Sequence, residues 1–160
     1  MDLRGSSRLT SEKDLVVLAG LVREMFRIGQ EELKSAEFCR FQGDEIMAVY
    51  KDENTAVRET LNLRKKFSVV SNGGLDMGMG IHKDKGLFLK TKETDFHIIR
   101  LGGAFNIAKR LEGLSRGGIM TVSSNVYEGL TGDLKKIFKW KKKVKVKHCD
   151  LLVETYVNTY

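Results

Sequence analysis

A chain of 160 residues, 41% hydrophobic and 31% charged, can bury one core of ordinary domain size; it is too short for two such domains and too apolar for a disordered tail. Sixteen glycines without a proline exclude collagen-like and proline-rich linker chemistry, and two cysteines, Cys39 and Cys149, form neither a disulfide framework nor a metal knuckle, which suits a reducing, cytoplasmic setting. The longest apolar stretch, Leu15 to Val22, falls short of the roughly 20 residues that cross a bilayer, no apolar leader follows Met1, and the net charge of +7 favours a polyanionic or phosphorylated partner.

Leu15, Leu18, Leu21, Val22, Met25 and Phe26 recur at helical spacing behind the cap-like Thr10, Ser11 and Glu12, which predicts an amphipathic helix over 12–29 ending near Gly29. The period then changes. Residues 35–42 and 45–50 are short β-forming runs separated by Gly43 and Asp44, the pattern of a hairpin with Asp44 at its tip. Ala56, Val57, Thr60, Leu61, Arg64 and Phe67 predict a second helix, and beyond the turn at Asn72, Gly73 and Gly74 the segment LDMGMGIH reads as a strand. Helix, hairpin, helix, strand is the order of a ferredoxin-like βαββαβ palm, an α+β fold, whose first strand is here missing or cut short because only Met1 precedes the approach to the first helix. Downstream come a hairpin-like pair at 86–91 and 95–101, a helix over 104–113, the strand GIMTVSS, a short helix near 124–130 and two final strands. Neither a repeat nor a low-complexity linker divides the chain, so residues 1–160 are expected to form a single domain.

Asp2 and Asp44 would stand at the ends of neighbouring strands, where two carboxylates can hold Mg²⁺ or Mn²⁺. Two such ions about 3.5 to 4 Å apart clamp the attacking and leaving oxygens of a phosphoryl transfer. Taken alone, an aspartate beside Gly43 reads better as an Asx-type turn residue than as a metal ligand. Between Lys135 and Lys147 stand eight lysines and no acidic residue, read here as the solvated edge of a strand or hairpin guarding against sheet-to-sheet pairing; Trp140 alone is weak support for base stacking, and no specific nucleic-acid partner is expected. His82, His97 and His148 lack zinc spacing, and Phe88, Phe96 and Phe105 suit core, pocket or association packing alike.

Six segments, in order, carry a resemblance to class III nucleotide cyclase catalytic domains. DLRGSSRLTSE resembles the family's D-I-x-G-F-T-x-L-S-E opening and RFQGDEIMAVY its K-x-x-G-D-x-x-M-A-V-F segment. GMGIH is similar to its G-I-H strand, RLGGAFNIAKRLEGLS to its I-G-D-x-V-N-x-A-x-R-L-E segment, GGIMTVSSNVYEGL to its I-x-V-S-x-x-V-Y segment and VKHCDLLVETYVN to its closing strand. The resemblance implies a cyclic-nucleotide signalling enzyme, a lyase that converts ATP or GTP into the 3′,5′-cyclic monophosphate and pyrophosphate on a two-metal site of Mg²⁺ or Mn²⁺. It maps the metal aspartates onto Asp2 and Asp44, the transition-state pair onto Asn106 and Arg110, and the phosphate-binding lysine onto Lys147, or onto Lys145 with one register slip. It also implies a homodimer, with Asp2 and Asp44 from one subunit and Asn106 and Arg110 from the other, and a possible regulatory or sensor domain upstream.

Five positions depart from the family pattern. Arg40 replaces the base-reading lysine or glutamate and Gly103 the adenine-reading aspartate; Ser6 and Ser7 replace Phe-Thr, and Asp84 replaces a glycine. Arg40 offers donors only, which suits the O6 and N7 acceptors of guanine better than the amino edge of adenine. A catalytically degenerate domain, kept as a nucleotide-binding or dimerising regulatory module, is therefore the alternative. RFQGDEI also resembles the R-x-G-G-D-E-F signature of diguanylate cyclases, but the second glycine is absent and the Asn106 to Arg110 helix segment is foreign to that pattern.

Overall fold

The computed structural model describes residues 1–6, 11–85, 103–115, 117–146 and 151–158. In chain order its elements are β1 (Asp2–Arg4), α1 (Glu12–Glu32), β2 (Phe38–Gln42), β3 (Glu45–Val49), α2 (Glu53–Val70), β4 (Asp76–Ile81), α3 (Ala104–Leu114), β5 (Met120–Ser123), α4 (Ser124–Gly129), α5 (Gly132–Lys135), β6 (Phe138–Val146) and β7 (Leu151–Asn158). The seven strands form one sheet in the order β2-β3-β1-β4-β5-β7-β6. Its first four strands have the ferredoxin-like arrangement. The first strand is present, though only three residues long: it lies between β3 and β4, antiparallel to both, with Asp2 opposite Glu45 on one side and Gly78 on the other.

Local chemistry accounts for the boundaries. Ser11 caps α1 in a capping box with Asp14, and Asp52 caps α2 by accepting from the Thr55 N–H at 2.6 Å. The expected end of α1 near Gly29 is not a stop. The helix runs on to Glu32, and Gly29 is there because a Cβ would come within 2.7 Å of the Phe41 ring on β2. Gly43 takes φ 58° while Asp44 keeps a negative φ, the sign pattern of a type II′ hairpin turn, so the glycine is demanded by the turn itself. The four-residue α5 has no counterpart among the sequence expectations, and the hairpin expected over 86–101 lies outside the described residues.

Alternation along the strands divides the sheet into two faces. Leu3, Ile46, Met77 and Met79 point to the side covered by α1 and α2, where they bury with Met25, Ile28, Val57, Leu63 and Phe67. Asp2, Arg4, Gly78 and Gly80 point to the other side, where α3 packs on β4. A Cβ on Gly80 would collide with the α3 backbone at Glu112 N and Ala108 O. Gly80→Ala is therefore expected to lift α3 off the sheet and cost about 1 to 3 kcal/mol, seen as a lower urea midpoint. An unchanged midpoint would mean that α3 is not seated there.

β6 ends the sheet, so the described part of the lysine run lies along an edge strand, with Lys141 and Lys143 flanking Glu154 at 2.8 and 3.8 Å. On the helix-covered face, burial pushes the Cys39 thiol up to about 11, and burial together with the hydrogen bond from Tyr50 to Glu59 raises the Tyr50 phenol. Both acids stay protonated in the folded chain at pH values where the unfolded chain ionises. The Cys39 contribution to stability is thus complete below pH 9.0, the ordinary thiol value, and falls away as pH rises towards 11, while that of Tyr50 is complete below pH 10.0 and falls away above it. Denaturation midpoints measured from pH 8 upward should decline, and less steeply in Cys39→Ala; equal slopes would remove the thiol from this account.

Candidate active site on the open face of the sheet

The exposed half of the α3-side face is built from β2, β3 and β1. Asp2 pairs in register with Glu45, and Arg40 with Met47, so these four residues stand on the same face by strand alternation. Asp44 follows Gly43 in the hairpin turn, and its backbone carbonyl accepts from the Leu3 N–H at 3.2 Å. The two sequence-predicted carboxylates are thereby tied to adjacent strands through the main chain. The Asp44 carboxylate accepts a 2.5 Å hydrogen bond from the Ser6 hydroxyl.

On α3, Ile107, Leu111 and Glu112 face inward, while Asn106 and Arg110, one helical turn apart, lie exposed on its solvent side. Arg110 has no hydrogen bond or ion pair among the described residues. Asn106 lines a cavity of ≈ 460 Å³ together with Met47, Gly80, His82, Phe105 and Lys109. That volume falls within the ~300–1,000 Å³ of small-molecule sites. Gly103 precedes α3 as a cap without a side-chain hydrogen bond, and Arg40 is exposed on β2. Lys147, Ser7, His97, His148, Cys149, Phe88 and Phe96 lie outside the described residues. Lys145, the alternative in the register slip, is exposed on β6.

Several residues that the sequence did not single out complete the site. Lys109 Nζ lies 3.4 Å from Asp2, 3.3 Å from Glu45 and 3.2 Å from Glu112. Burial works against the Lys109 charge, but Glu112, Asp2 and Glu45 together outweigh it and hold its pKa above the ordinary lysine value. Arg4 spans the gap below: its guanidinium meets the Glu112 carboxylate and main-chain carbonyl, donates to Ser115 O at 3.0 Å and approaches Asp2 at 4.0 Å. Glu112 is only 3% exposed, so these cations are what make its burial tolerable. On the cavity wall, burial pulls the His82 pKa down against the opposing pull of Asp84, favouring a neutral imidazole.

The donor chemistry suits a hard divalent cation. Two carboxylates on adjoining backbone segments supply the few protein oxygens that Mg²⁺ or Mn²⁺ takes, leaving further positions for water and phosphate oxygens. Among the described residues no group of three or more histidine, cysteine, aspartate or glutamate side chains is arranged so as to hold a metal ion by itself.

The whole chain resembles solved cyclase structures. It matches the adenylyl cyclase CyaB from P. aeruginosa with a TM-score of 0.73 over 99% of this chain and 90% of that one, at 22% identity. An adenylate cyclase from Trypanosoma brucei, solved in its monomeric state, gives 0.75 over 98% and 86% at 16% identity. The guanylate cyclase domain of RhGC from Catenaria anguillulae, solved in complex with GTP, gives 0.61 over 99% and 92% at 20% identity. No family model matches the sequence, and no curated protein does. Among the described residues no helix is long and apolar enough to cross a membrane. With a central β1, Asp44 at the hairpin turn and α3 laid across β4, this chain has the fold of the class III adenylyl and guanylyl cyclase catalytic domains.

Proposed function

We propose that this chain is a nucleotide cyclase domain that converts a nucleoside triphosphate into its 3′,5′-cyclic monophosphate and pyrophosphate. The observation that carries the reading is the backbone tie between β1 and the hairpin turn, which puts Asp2 and Asp44 on adjoining segments at the end of the sheet's open face. In the reaction the ribose 3′-oxygen bonds to the α-phosphorus, the bond from that phosphorus to the bridging oxygen breaks, pyrophosphate departs and the hydroxyl proton is lost. Divalent metal held by Asp2 and Asp44 would polarise the phosphate oxygens and lower the pKa of the attacking hydroxyl. Asn106 hydrogen-bonds the ribose, and Arg110 directs fixed donors at the charge that builds on the α-phosphate.

Arg110 is exposed on α3, and Asn106 is exposed too although it also lines the cavity of its own chain; we assign both to the site of a second copy, whose Asp2 and Asp44 they complete. Support for self-association comes from α1, where the consecutive apolar residues Leu15, Val16 and Val17 are 51%, 73% and 59% exposed. Arg40 is the base reader in this scheme. Its donors match guanine, so GTP is expected to outperform ATP, and Arg40→Ala should erase the difference by lowering kcat/KM for GTP about tenfold while sparing ATP. Competition between the two nucleotides in one assay measures this; an equal loss for both would move Arg40 from the base to the phosphates.

One observation favours the alternative, a nucleotide-binding or dimerising module without turnover: Asp2 already has Lys109 as a partner at 3.4 Å. The test that separates the two readings is product analysis with Mn²⁺. Cyclic nucleotide and pyrophosphate in equal amounts support the cyclase; tight triphosphate binding without turnover supports the module.

A further inference from the structure

The contacts of Lys109 have a bearing on metal loading. Its ammonium is met by one carboxylate from each of three elements: Asp2 on β1, Glu45 on β3 and Glu112 on α3. Glu45 and Asp2 are cross-strand partners, and Glu112 is one helical turn beyond Lys109, so the backbone sets all three residues around the same ammonium. Glu112 also has Arg4, which approaches it closely and keeps Asp2 at 4.0 Å. For Asp2, Lys109 is thus the nearer cation. Lys109 is also the most exposed member of the group, 48% open to solvent, whereas Glu112 is 3% and Asp2 22% exposed. A lysine ammonium is a point charge on a flexible four-carbon stem and can swing into water at little cost.

We infer that Lys109 is a resident counter-ion for Asp2 that a divalent cation must displace, so that metal loading of this face is coupled to withdrawal of the Lys109 side chain. The inference rests on the reading of Asp2 and Asp44 as metal ligands. Electrostatics gives the direction. A positive charge 3.4 Å from Asp2 repels an incoming dication, while the same dication takes over the neutralisation that Lys109 provides. Glu45 and Glu112 retain Lys109 near the site after it leaves Asp2, which makes the exchange a short swing rather than a loss of the helix contact. Lys109 is a positioning residue in this scheme, setting how much metal the site requires.

The experiment is Mn²⁺ titration of the whole chain in the presence of a non-hydrolysable triphosphate, followed by loss of the free Mn²⁺ paramagnetic resonance signal, so that no turnover is needed. Five proteins are compared: the parent, Lys109→Met, Lys109→Arg, Lys109→Met combined with Asp2→Asn, and Asp44→Ala. Methionine keeps the length and helix propensity of the side chain without its charge. Lys109→Met is expected to bind Mn²⁺ about tenfold more tightly than the parent, the scale of one partly screened charge contact. Lys109→Arg should stay near the parent, and Asp2→Asn should cancel the gain. A Lys109→Met affinity equal to or weaker than the parent's, with Asp44→Ala still weakening binding, would overturn the displacement while leaving the metal reading standing. Absence of Mn²⁺ binding in both the parent and Lys109→Met at millimolar metal would overturn both. If Lys109→Met does not fold, Lys109→Gln carries the same charge change, and an unchanged affinity in it overturns the inference equally.

Discussion

Arg110→Ala is expected to lower kcat by roughly 10²- to 10³-fold for ATP and GTP alike, with little change in thermal stability. The stability half of this expectation follows from placement. Arg110 lies on the exposed side of α3 and has no described partner, so its truncation opens no cavity and strands no buried charge. The catalytic half follows from its spacing with Asn106 and from the fixed fork of donors that a guanidinium presents to phosphate oxygens. A parallel fall for both nucleotides separates a phosphate role from base reading. If only KM rose, Arg110 would be a uniform binding contact rather than a stabiliser of the transition state.

Asp44→Ala should be as severe, with product formation reduced on the order of 10³-fold at any Mn²⁺ concentration that leaves the parent saturated. Here the structure adds a sharper expectation. Asp44 belongs to the hairpin turn and Arg110 to the solvent side of α3, so in a two-chain site the two defects fall on opposite halves. Mixing equal amounts of the two inactive proteins, with time for subunit exchange, gives mixed dimers for about half the population. Each mixed dimer has one site with both residues intact, so activity should recover to about a quarter of the parental value. A mixture no more active than its components, with exchange verified, would place Asp44 and Arg110 in a site formed by one chain.

The parts of this picture that the sequence revealed are those in which neighbouring residues define the geometry. Gly43 and Asp44 announce their own turn, because a two-residue hairpin requires positive φ at its first position. Asn106 and Arg110 announce a shared helix face by spacing alone. What stayed hidden depends on contacts between distant residues. Gly29 looks like a helix terminator until Phe41 is found against it. Lys109 looks like a solvated helix lysine, and its link to Asp2 spans 107 residues of sequence. Glu112 reads as an ordinary surface acid and is instead buried under Arg4 and Lys109. The three-residue β1 is too short for any period to register, yet its backbone holds the centre of the palm.

The most direct test of the account is a stoichiometric one. The purified chain is incubated with Mn²⁺ and either GTP or ATP, and cyclic nucleotide and pyrophosphate are quantified together over a range of protein concentrations in which the dimer is followed by sedimentation. The two products are expected to appear in equal amounts, faster from GTP than from ATP, with a specific activity that rises with the dimer fraction. Nucleotide returned intact at concentrations where the dimer is formed and saturated with metal would contradict it.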